Sequence, residues 1–150
     1  MRMKVFIPIA AIVLLAAILW IGYGMDPAPV NFNKLLGSAE GYNGRTVTLE
    51  AIYVSGGEGT LLTEYVTYLG TGSTRELKPV GGSIWFDGTL PPEIQGQLHE
   101  ITSPAGETSY YGKLKVTGLF ESGGTYGPAN QFKYRLTGKK VKALDWTPPE

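Results

Sequence analysis

An uninterrupted apolar run of nineteen residues, from 5 to 23, constrains this chain more than any other feature: VFIPIAAIVLLAAILWIGY. As a helix, nineteen residues span about 28 Å, close to the thickness of the hydrocarbon core of a bilayer. Arg2 and Lys4 precede the run and Asp26 follows it. This charge asymmetry predicts a cytoplasmic N-terminus, with the remainder of the chain on the far side of the membrane.

A cleaved secretory signal is the alternative interpretation, but such signals usually have a shorter apolar core and a small-residue cleavage site. Residues 20–25 contain no A-x-A pattern, and Trp20 and Tyr23 suit the aromatic belt of a membrane interface. We therefore predict a transmembrane anchor at 1–25, a linker at 26–31, one domain at 32–146 and a tail at 147–150. The chain has no cysteine, which excludes lipoprotein processing, disulfides and thiolate metal sites.

The charge balance beyond the anchor argues against a nucleic-acid-binding surface. The chain has 13 basic and 13 acidic residues, and Arg2 and Lys4 precede the anchor, so 11 basic and 13 acidic residues remain beyond it. A general nucleic-acid-binding domain would be clearly basic. The 21 glycines and 10 prolines fall mostly between apolar segments, which is typical of short strands joined by turns.

Alternation of apolar and polar residues predicts five main strands, at 45–54, 61–69, 84–86, 113–120 and 132–137. In the first strand the apolar face consists of Val47, Leu49, Ala51 and Tyr53. Polar, glycine-rich segments at 70–83, 102–109 and 121–131 are predicted loops. Two short helices are predicted, one capped by Asn33 and ending at Ala39, and one at 91–98.

Three strands, a helix and two further strands follow the order of an OB-fold. We therefore predict an all-β architecture: an N-terminal transmembrane helix, then a five-stranded OB-fold-like Greek-key barrel with a short helix between strands 3 and 4. The first and fourth strands open with similar turns, YNGR at 42–45 and YYGK at 110–113, as suits neighbours in this topology. A small SH3-like barrel is the alternative, and the helix at 91–98 counts against it.

Two groups of segments carry a resemblance to a family. The first is FNKLL at 32–36 with YNGRTVTLE at 42–50, and the second is YGKLKVTG at 111–118 with YG at 126–127 and FKYR at 132–135. They resemble the opening and the closing hairpin of small exported, membrane-anchored OB-fold domain proteins of bacteria and archaea. The resemblance covers most of residues 32–144 and implies architecture, with little information on activity.

A second resemblance rests on GTLPPEIQGQ at 88–97 and on the ending DWTPPE at 145–150. These segments are similar to a G-x-L-P turn and the tail of the periplasmic haem chaperone of cytochrome c maturation. That family attaches haem through a histidine just ahead of the tail aromatic. Here the corresponding stretch is KALD at 142–145, and the only histidine of the chain is His99. Haem attachment therefore does not carry over, and we predict no cofactor.

The sequence provides little for catalysis. A Ser-His-Asp arrangement would have to recruit His99, no serine lies in a nucleophile-elbow pattern, and we expect His99 on the solvent side of a helix or loop. Glu50 and Glu121 are a conceivable acid pair, because the topology makes the first and fourth strands neighbours, but scattered surface carboxylates are the simpler interpretation. No His, Asp or Glu cluster has the spacing of metal ligands.

A ligand-binding face is the stronger hypothesis. OB-folds bind ligands on strands 2 and 3 and the adjoining loops, where this chain offers Tyr65, Tyr68, Trp85 or Phe86, and Tyr126. Aromatic rings beside polar loops suit a sugar, a peptide or a base. The alternative is that these aromatic residues are packing residues of the barrel.

Basic residues of the last two strands predict a second surface. We expect Lys113 and Lys115 to lie across from Lys133 and Arg135, where like charges oppose each other. With Lys139, Lys140 and Lys142 they would contact an anionic surface such as lipid headgroups, a cell-wall polymer or an acidic partner. The alternative is a solvated face that Glu50 balances.

Together these features predict a single-pass cell-membrane protein whose C-terminal domain is an extracytoplasmic binding or assembly module and not an enzyme. Its expected partners are the membrane and an envelope protein or cell-surface polymer. The alternatives are a haem-like cofactor carrier in envelope biogenesis, a single-stranded nucleic-acid-binding OB-fold, and an enzyme of another kind.

Overall fold

The structure, a computed structural model, describes residues 25–57 and 59–150. The apolar run at 5–23, which we predict to be the transmembrane anchor, lies outside the described residues. Within the described ranges, no helix has both the length and the apolar character needed to cross a bilayer.

The described chain is mostly β-structure. Its seven strands are β1 (Pro29–Val30), β2 (Arg45–Gly56), β3 (Gly59–Leu69), β4 (Glu76–Asp87), β5 (His99–Thr102), β6 (Thr108–Tyr126) and β7 (Phe132–Ala143). The helices of this part are α1 (Phe32–Gly37), α2 (Ala39–Tyr42) and α3 (Pro92–Gln95), and short 3-10 turns lie at Gly72–Thr74 and Pro128–Asn130.

Five of the strands pair in a ring, in the order β2, β3, β4, β7, β6 and back to β2. β4 and β7 are parallel, and the other four pairs of the ring are antiparallel. The ring closes between β2 and β6, which pair continuously over residues 45–55 of β2. Two short strands flank it: β1 pairs in parallel with β2, and β5 pairs with β6.

The interior of the ring holds the main apolar core. The predicted inward face of the first strand is confirmed, because Val47, Leu49, Ala51 and Tyr53 are all 6% exposed or less. The other strands contribute large buried side chains, which are Leu62, Ile84, Phe86, Leu114, Val116, Phe120 and Leu136. Phe32 and Leu35 of α1 and Leu90, which follows β4, pack against the same core.

A second apolar cluster lies on the outer side of the ring. Its buried members are Ile52, Val54, Val66 and Tyr111, and partly buried Leu61, Tyr68, Leu77, Ile101 and Trp146 pack against them. Ile52 and Val54 alternate with Tyr53 along β2, so the second half of this strand is buried on both faces. This explains why the clean alternation of β2 gives way to a continuous apolar stretch.

Two of the predicted loops are wrong. β4 begins at Glu76, inside the predicted loop at 70–83, and β6 continues to Tyr126, inside the predicted loop at 121–131. The backbone of residues 76–80 pairs with β3, with Leu77 opposite Tyr68, and Leu77 packs into the second cluster. These segments look polar in the sequence because most of their side chains stay partly or fully exposed.

Both predicted helices exist, but the first begins two residues earlier than expected and the second is shorter. The first is capped by Asn31, whose side-chain oxygen accepts a hydrogen bond from the Lys34 amide at 3.1 Å. Asn33, the predicted cap, lies inside α1 and donates from its side-chain nitrogen to Glu64 at 2.6 Å. The helix predicted at 91–98 is the single turn α3.

Residues 26–30, which fall within the predicted linker, lie against the ring, and we call them the N-terminal strap. The Asp26 carboxylate accepts a hydrogen bond from Lys140 of β7 at 2.7 Å, and Pro29 pairs with Thr48 of β2. The strap thus has one contact on β7, through Asp26, and one on β2, through Pro29 and Val30. Thr48 of β2 and Thr117 of β6 lie opposite each other and are 0% and 7% exposed.

Candidate functional site

A cavity of about 560 Å³ opens at one end of the ring, beside α3. β2 contributes Tyr53 and Ser55, and β6 contributes Tyr110. The connection from β4 to α3 and the turn after it supply the rest of the lining, which is Gly88, Thr89, Leu90, Gln95 and Leu98. We call it the mouth cavity.

The register of β2 and β6 explains why the mouth cavity forms here. Tyr53 and Ser55 continue the inward face of β2 beyond Ala51, and they lie opposite Gly112 and Tyr110 of β6. Gly112 has no side chain, and a Cβ there would come within 2.9 Å of Leu98. The inward face thus changes at Tyr53 from aliphatic side chains to hydroxyl-bearing ones, and the apolar core ends at this level.

Several contacts hold the walls of the mouth cavity in place. The Tyr53 ring packs edge-on against Phe86, with 5.7 Å between the ring centroids. The Gln95 side-chain nitrogen donates to the Leu90 carbonyl at 2.8 Å, which ties α3 to the segment before it. Burial raises the pKa of the Tyr53 hydroxyl, with the neighbouring Ser55 acting in the opposite direction. Tyr53 is therefore a neutral hydroxyl at physiological pH, able to donate and to accept hydrogen bonds.

The described residues that line the mouth cavity are uncharged. They offer four hydroxyls, one carboxamide and two tyrosine rings, and none of them is Asp, Glu, Lys, Arg or His. Tyr110 is 43% exposed and forms part of the rim. Such a lining can bind a neutral ligand that has both hydroxyl groups and an apolar face.

The structure does not bring the predicted aromatic face together as one surface. Trp85 pairs with Arg135 across β4 and β7, and the Arg135 guanidinium lies 4.9 Å from the centre of the Tyr126 ring. Tyr68 belongs to the second cluster, where its hydroxyl is 2.7 Å from that of Tyr111. Tyr65 lies on β3 and is 51% exposed. Phe86, the alternative to Trp85, is a core residue.

Sequence reasoning missed the tyrosines of the mouth cavity for identifiable reasons. Alternation along the strand predicts Tyr53 in the core, which is correct, but alternation does not show where along the strand the core ends. Tyr110 lies in the YYGK segment, which by itself indicates only a turn that opens a strand. One feature of the sequence does indicate the cavity: the inward face of β2 ends in two polar residues, Tyr53 and Ser55.

The predicted arrangement of basic residues on the last two strands is wrong. Because β6 extends to Tyr126 and pairs there with Phe132, Glu121 lies opposite Arg135, and Lys115 lies opposite Lys142. Lys113 and Lys115 therefore do not face Lys133 and Arg135. The sequence prediction placed the hairpin connection at 121–131, several residues too early, which shifted the register.

Arg135 is held by carboxylates of the barrel itself. Its Nε donates to Glu121 at 2.7 Å, and its guanidinium lies 3.9 Å from Asp87. The hydrogen bond from Arg135 holds the pKa of Glu121 below its usual range, and the same bond raises the pKa of Arg135. Arg135 is thus already neutralised by neighbouring carboxylates.

A group of lysines remains on the outer side of β6 and β7, and we call Lys115, Lys139, Lys140 and Lys142 the basic face. Lys139, Lys140 and Lys142 are exposed, and Lys115 is partly buried. Glu50 faces Lys115 across β2 and β6 and lies 4.0 Å from Lys113, and Asp26 binds Lys140. For Lys139 and Lys142, no described carboxylate lies within ion-pair distance. The predicted balance by Glu50 is therefore only partial.

The residues considered for catalysis, which are Glu50, Glu121 and His99, do not form a catalytic group. Glu50 pairs with Lys115, six positions along β6 from Glu121, so the two carboxylates do not form an acid pair. His99 is not on the solvent side of a helix or loop: it is a partly buried residue of β5, whose ring lies 5.5 Å from Tyr111 and 5.8 Å from Trp146. Among the described residues, no group of three His, Cys, Asp or Glu is placed to hold a metal ion.

Comparison with known proteins gives no relative for this chain: no family model matches it, and no match is found among the curated proteins or the solved structures.

Proposed function

We propose that this chain is a membrane-anchored extracytoplasmic binding or assembly module built on an OB-fold barrel. Numbered in chain order, the five ring strands pair as 1–2–3–5–4–1, with the parallel pair between the third and the fifth. α3 lies between the third and the fourth. This order supports the five-stranded Greek-key barrel of the OB class.

The position of the N-terminal strap is the observation that carries the proposal. Asp26 lies three positions after Tyr23, the last residue of the apolar run, and the strap holds it against Lys140 of β7. Residues 29 and 30 then pair with β2. Almost no free chain therefore separates the proposed anchor from the barrel, and an anchored chain would present the region around Lys140 to the bilayer.

The charge of the basic face supports this orientation. Lysines close to a membrane surface are attracted to anionic lipids by about 1 kcal/mol each. The proposed partners are accordingly the membrane and an envelope protein or cell-surface polymer that reaches the barrel. We propose a binding role and not an enzymatic one, because the carboxylates of Glu50 and Glu121 lie beside Lys113 and Arg135 and do not face each other.

Single cysteines test the location of the domain, since the chain has none of its own. Ser73 is exposed and lies on the turn between β3 and β4. Ser73→Cys should react with a membrane-impermeant maleimide in intact cells. Labelling only after permeabilisation would overturn the extracytoplasmic location.

A second pair of variants tests the orientation. Lys139→Cys on the basic face and Lys78→Cys on β4, both at exposed positions, are labelled with a fluorophore in liposomes whose headgroups carry a quencher. Quenching should be stronger at position 139. Equal or stronger quenching at position 78 would contradict the proposed orientation, whichever side of the membrane the domain occupies.

A further inference from the structure

We propose that the mouth cavity binds a neutral saccharide unit. This deepens the proposed binding role, on which it rests, by naming the class of ligand. The cavity lies at the end of a β-barrel, a common position for small-molecule sites, and its volume of about 560 Å³ falls within the range of about 300–1,000 Å³ typical of them.

The charge of the lining selects the ligand first. The described lining residues carry no ionisable group other than tyrosine hydroxyls, so a bound carboxylate, phosphate or ammonium group would lose its hydration without gaining an ion pair. Uronic acids, nucleotides and charged peptides are disfavoured on this ground. A neutral ligand incurs no such penalty.

The hydroxyl and carboxamide groups of the lining favour a neutral ligand that itself carries several hydroxyls. Tyr53, Ser55, Thr89 and Tyr110 each bring a hydroxyl that both donates and accepts, and Gln95 brings a carboxamide. The hydroxyls of a pyranose ring have the same double character, so each can be satisfied by hydroxyls of the lining. A purely apolar ligand would displace water from the hydroxyls of Ser55, Thr89 and Tyr110 without replacing its hydrogen bonds, which costs free energy.

The aromatic rings provide the other half of saccharide recognition. One face of a pyranose displays C–H groups, and tyrosine rings combine an apolar surface with a polar end. The Tyr110 ring is 43% exposed at the rim, whereas Tyr53 is 6% exposed and is fixed against Phe86. Tyr110 is therefore the accessible platform, and Tyr53 with Leu90 forms part of the inner wall.

The test uses the full chain in phosphatidylcholine nanodiscs, prepared without alkyl glycoside detergents because their sugar headgroups would compete. Saturation-transfer difference NMR is recorded with maltose, cellobiose and N,N′-diacetylchitobiose. We expect saturation transfer to at least one of them, with a dissociation constant of about 1 mM, which corresponds to the few hydrogen bonds available. Absence of transfer to all three would overturn the proposal.

Two variants locate the binding. Tyr110→Ala should weaken it at least tenfold, and Leu69→Ala, a truncation at a residue 49% exposed on β3 and outside the lining, should leave it unchanged. If Tyr110→Ala fails to fold, Thr89→Val, which removes one hydroxyl of the lining, should weaken binding about threefold, the loss of one modest hydrogen bond. Binding that neither Tyr110→Ala nor Thr89→Val weakens would exclude the mouth cavity.

Further ligands test the class and the source. Glucuronic acid or uridine monophosphate binding more tightly than the neutral disaccharides would contradict the argument from charge. Nanodiscs that contain a diglucosyl diacylglycerol should compete with the free sugar if the natural source is a glycolipid headgroup, and should not if it is a soluble or wall saccharide. The cysteine experiments above need no ligand, so they can fail or succeed independently of this proposal.

Discussion

Replacement of Thr48 by valine tests the β2–β6 pair that closes the ring. The hydroxyl of Thr48 is 2.8 Å from that of Thr117, and the two residues are 69 positions apart in the sequence. They lie directly opposite each other in the β2–β6 register and are 0% and 7% exposed. The contact therefore exists only if the ring closes in this register.

The expected loss of stability depends on whether a substitution leaves a buried hydroxyl without a hydrogen-bond partner. Thr48→Val removes one partner and leaves the buried hydroxyl of Thr117 unsatisfied, which costs about 1–3 kcal/mol. Thr117→Val should cost a similar amount. Replacing both residues by valine, which has nearly the same shape, leaves no orphaned hydroxyl, so the double variant should lose less than about 1 kcal/mol. The two single losses together exceed the loss of the double variant, so the expected coupling energy is at least about 1 kcal/mol.

The assay is urea unfolding of the full chain in detergent micelles, followed by tryptophan fluorescence. Thr46→Val is the matched control: Thr46 is exposed on the same face of β2, two positions earlier, and its replacement should change the free energy of unfolding by less than about 0.5 kcal/mol. Additive effects of Thr48→Val and Thr117→Val would refute the reasoning, because they would mean that the two hydroxyls are not in contact.

Three further predictions concern other contacts. Glu121→Gln should reduce stability by about 0.2–1 kcal/mol at pH 7, since the pair with Arg135 is partly exposed. Because the folded-state pKa of Glu121 is lowered, the difference from wild type in urea midpoint should persist above the ordinary carboxyl pKa and shrink as the pH falls through the lowered value; a constant difference would contradict the ion pair. Gly127→Ala should destabilise by about 1–3 kcal/mol, because Gly127 has φ +71° and a Cβ there would lie 2.7 Å from Phe132. Gly41→Ala, where a Cβ meets nothing within 4 Å, is its control and should be neutral or mildly stabilising in the same assay. Trp146→Ala should accelerate amide hydrogen exchange across β5, since the indole packs on His99 of that strand; unchanged exchange would show that the tail does not stabilise β5.

Periodicity was a reliable guide where one face of a strand meets the core and the other meets solvent. It identified the inward face of β2 from Val47 to Tyr53, because those positions follow a strict period of two. It also gave the chain order of the five ring strands. It failed for residues 76–80, where the strand is specified by backbone pairing with β3 and few of its side chains are buried.

The positions of the surface residues depend on strand register, which in a hairpin is fixed by the turn type and the loop length. The hairpin of β6 and β7 turns after Tyr126 and contains two irregularities in its register. Because the predicted turn begins several residues too early, the prediction places Arg135 opposite a lysine, whereas in the structure it lies opposite Glu121. The mouth cavity could not be predicted from the sequence either. It depends on Gly112 lying opposite Tyr53, and no local sequence pattern reveals this long-range pairing.

The long-range closure of the ring also has a consequence for the order of folding. β2, β3 and β4 are consecutive and pair through local turns, so this three-stranded sheet can form early during synthesis. The free edge of β2 stays unpaired until β6 is present, and the free edge of β4 stays unpaired until β7 is present. The residues of β7 that pair with β4 extend to Thr137. Until then the sheet has two exposed edges, each able to pair with another chain. Completion of the barrel is thus a late event, and the interval before it is when the nascent domain is most exposed to aggregation.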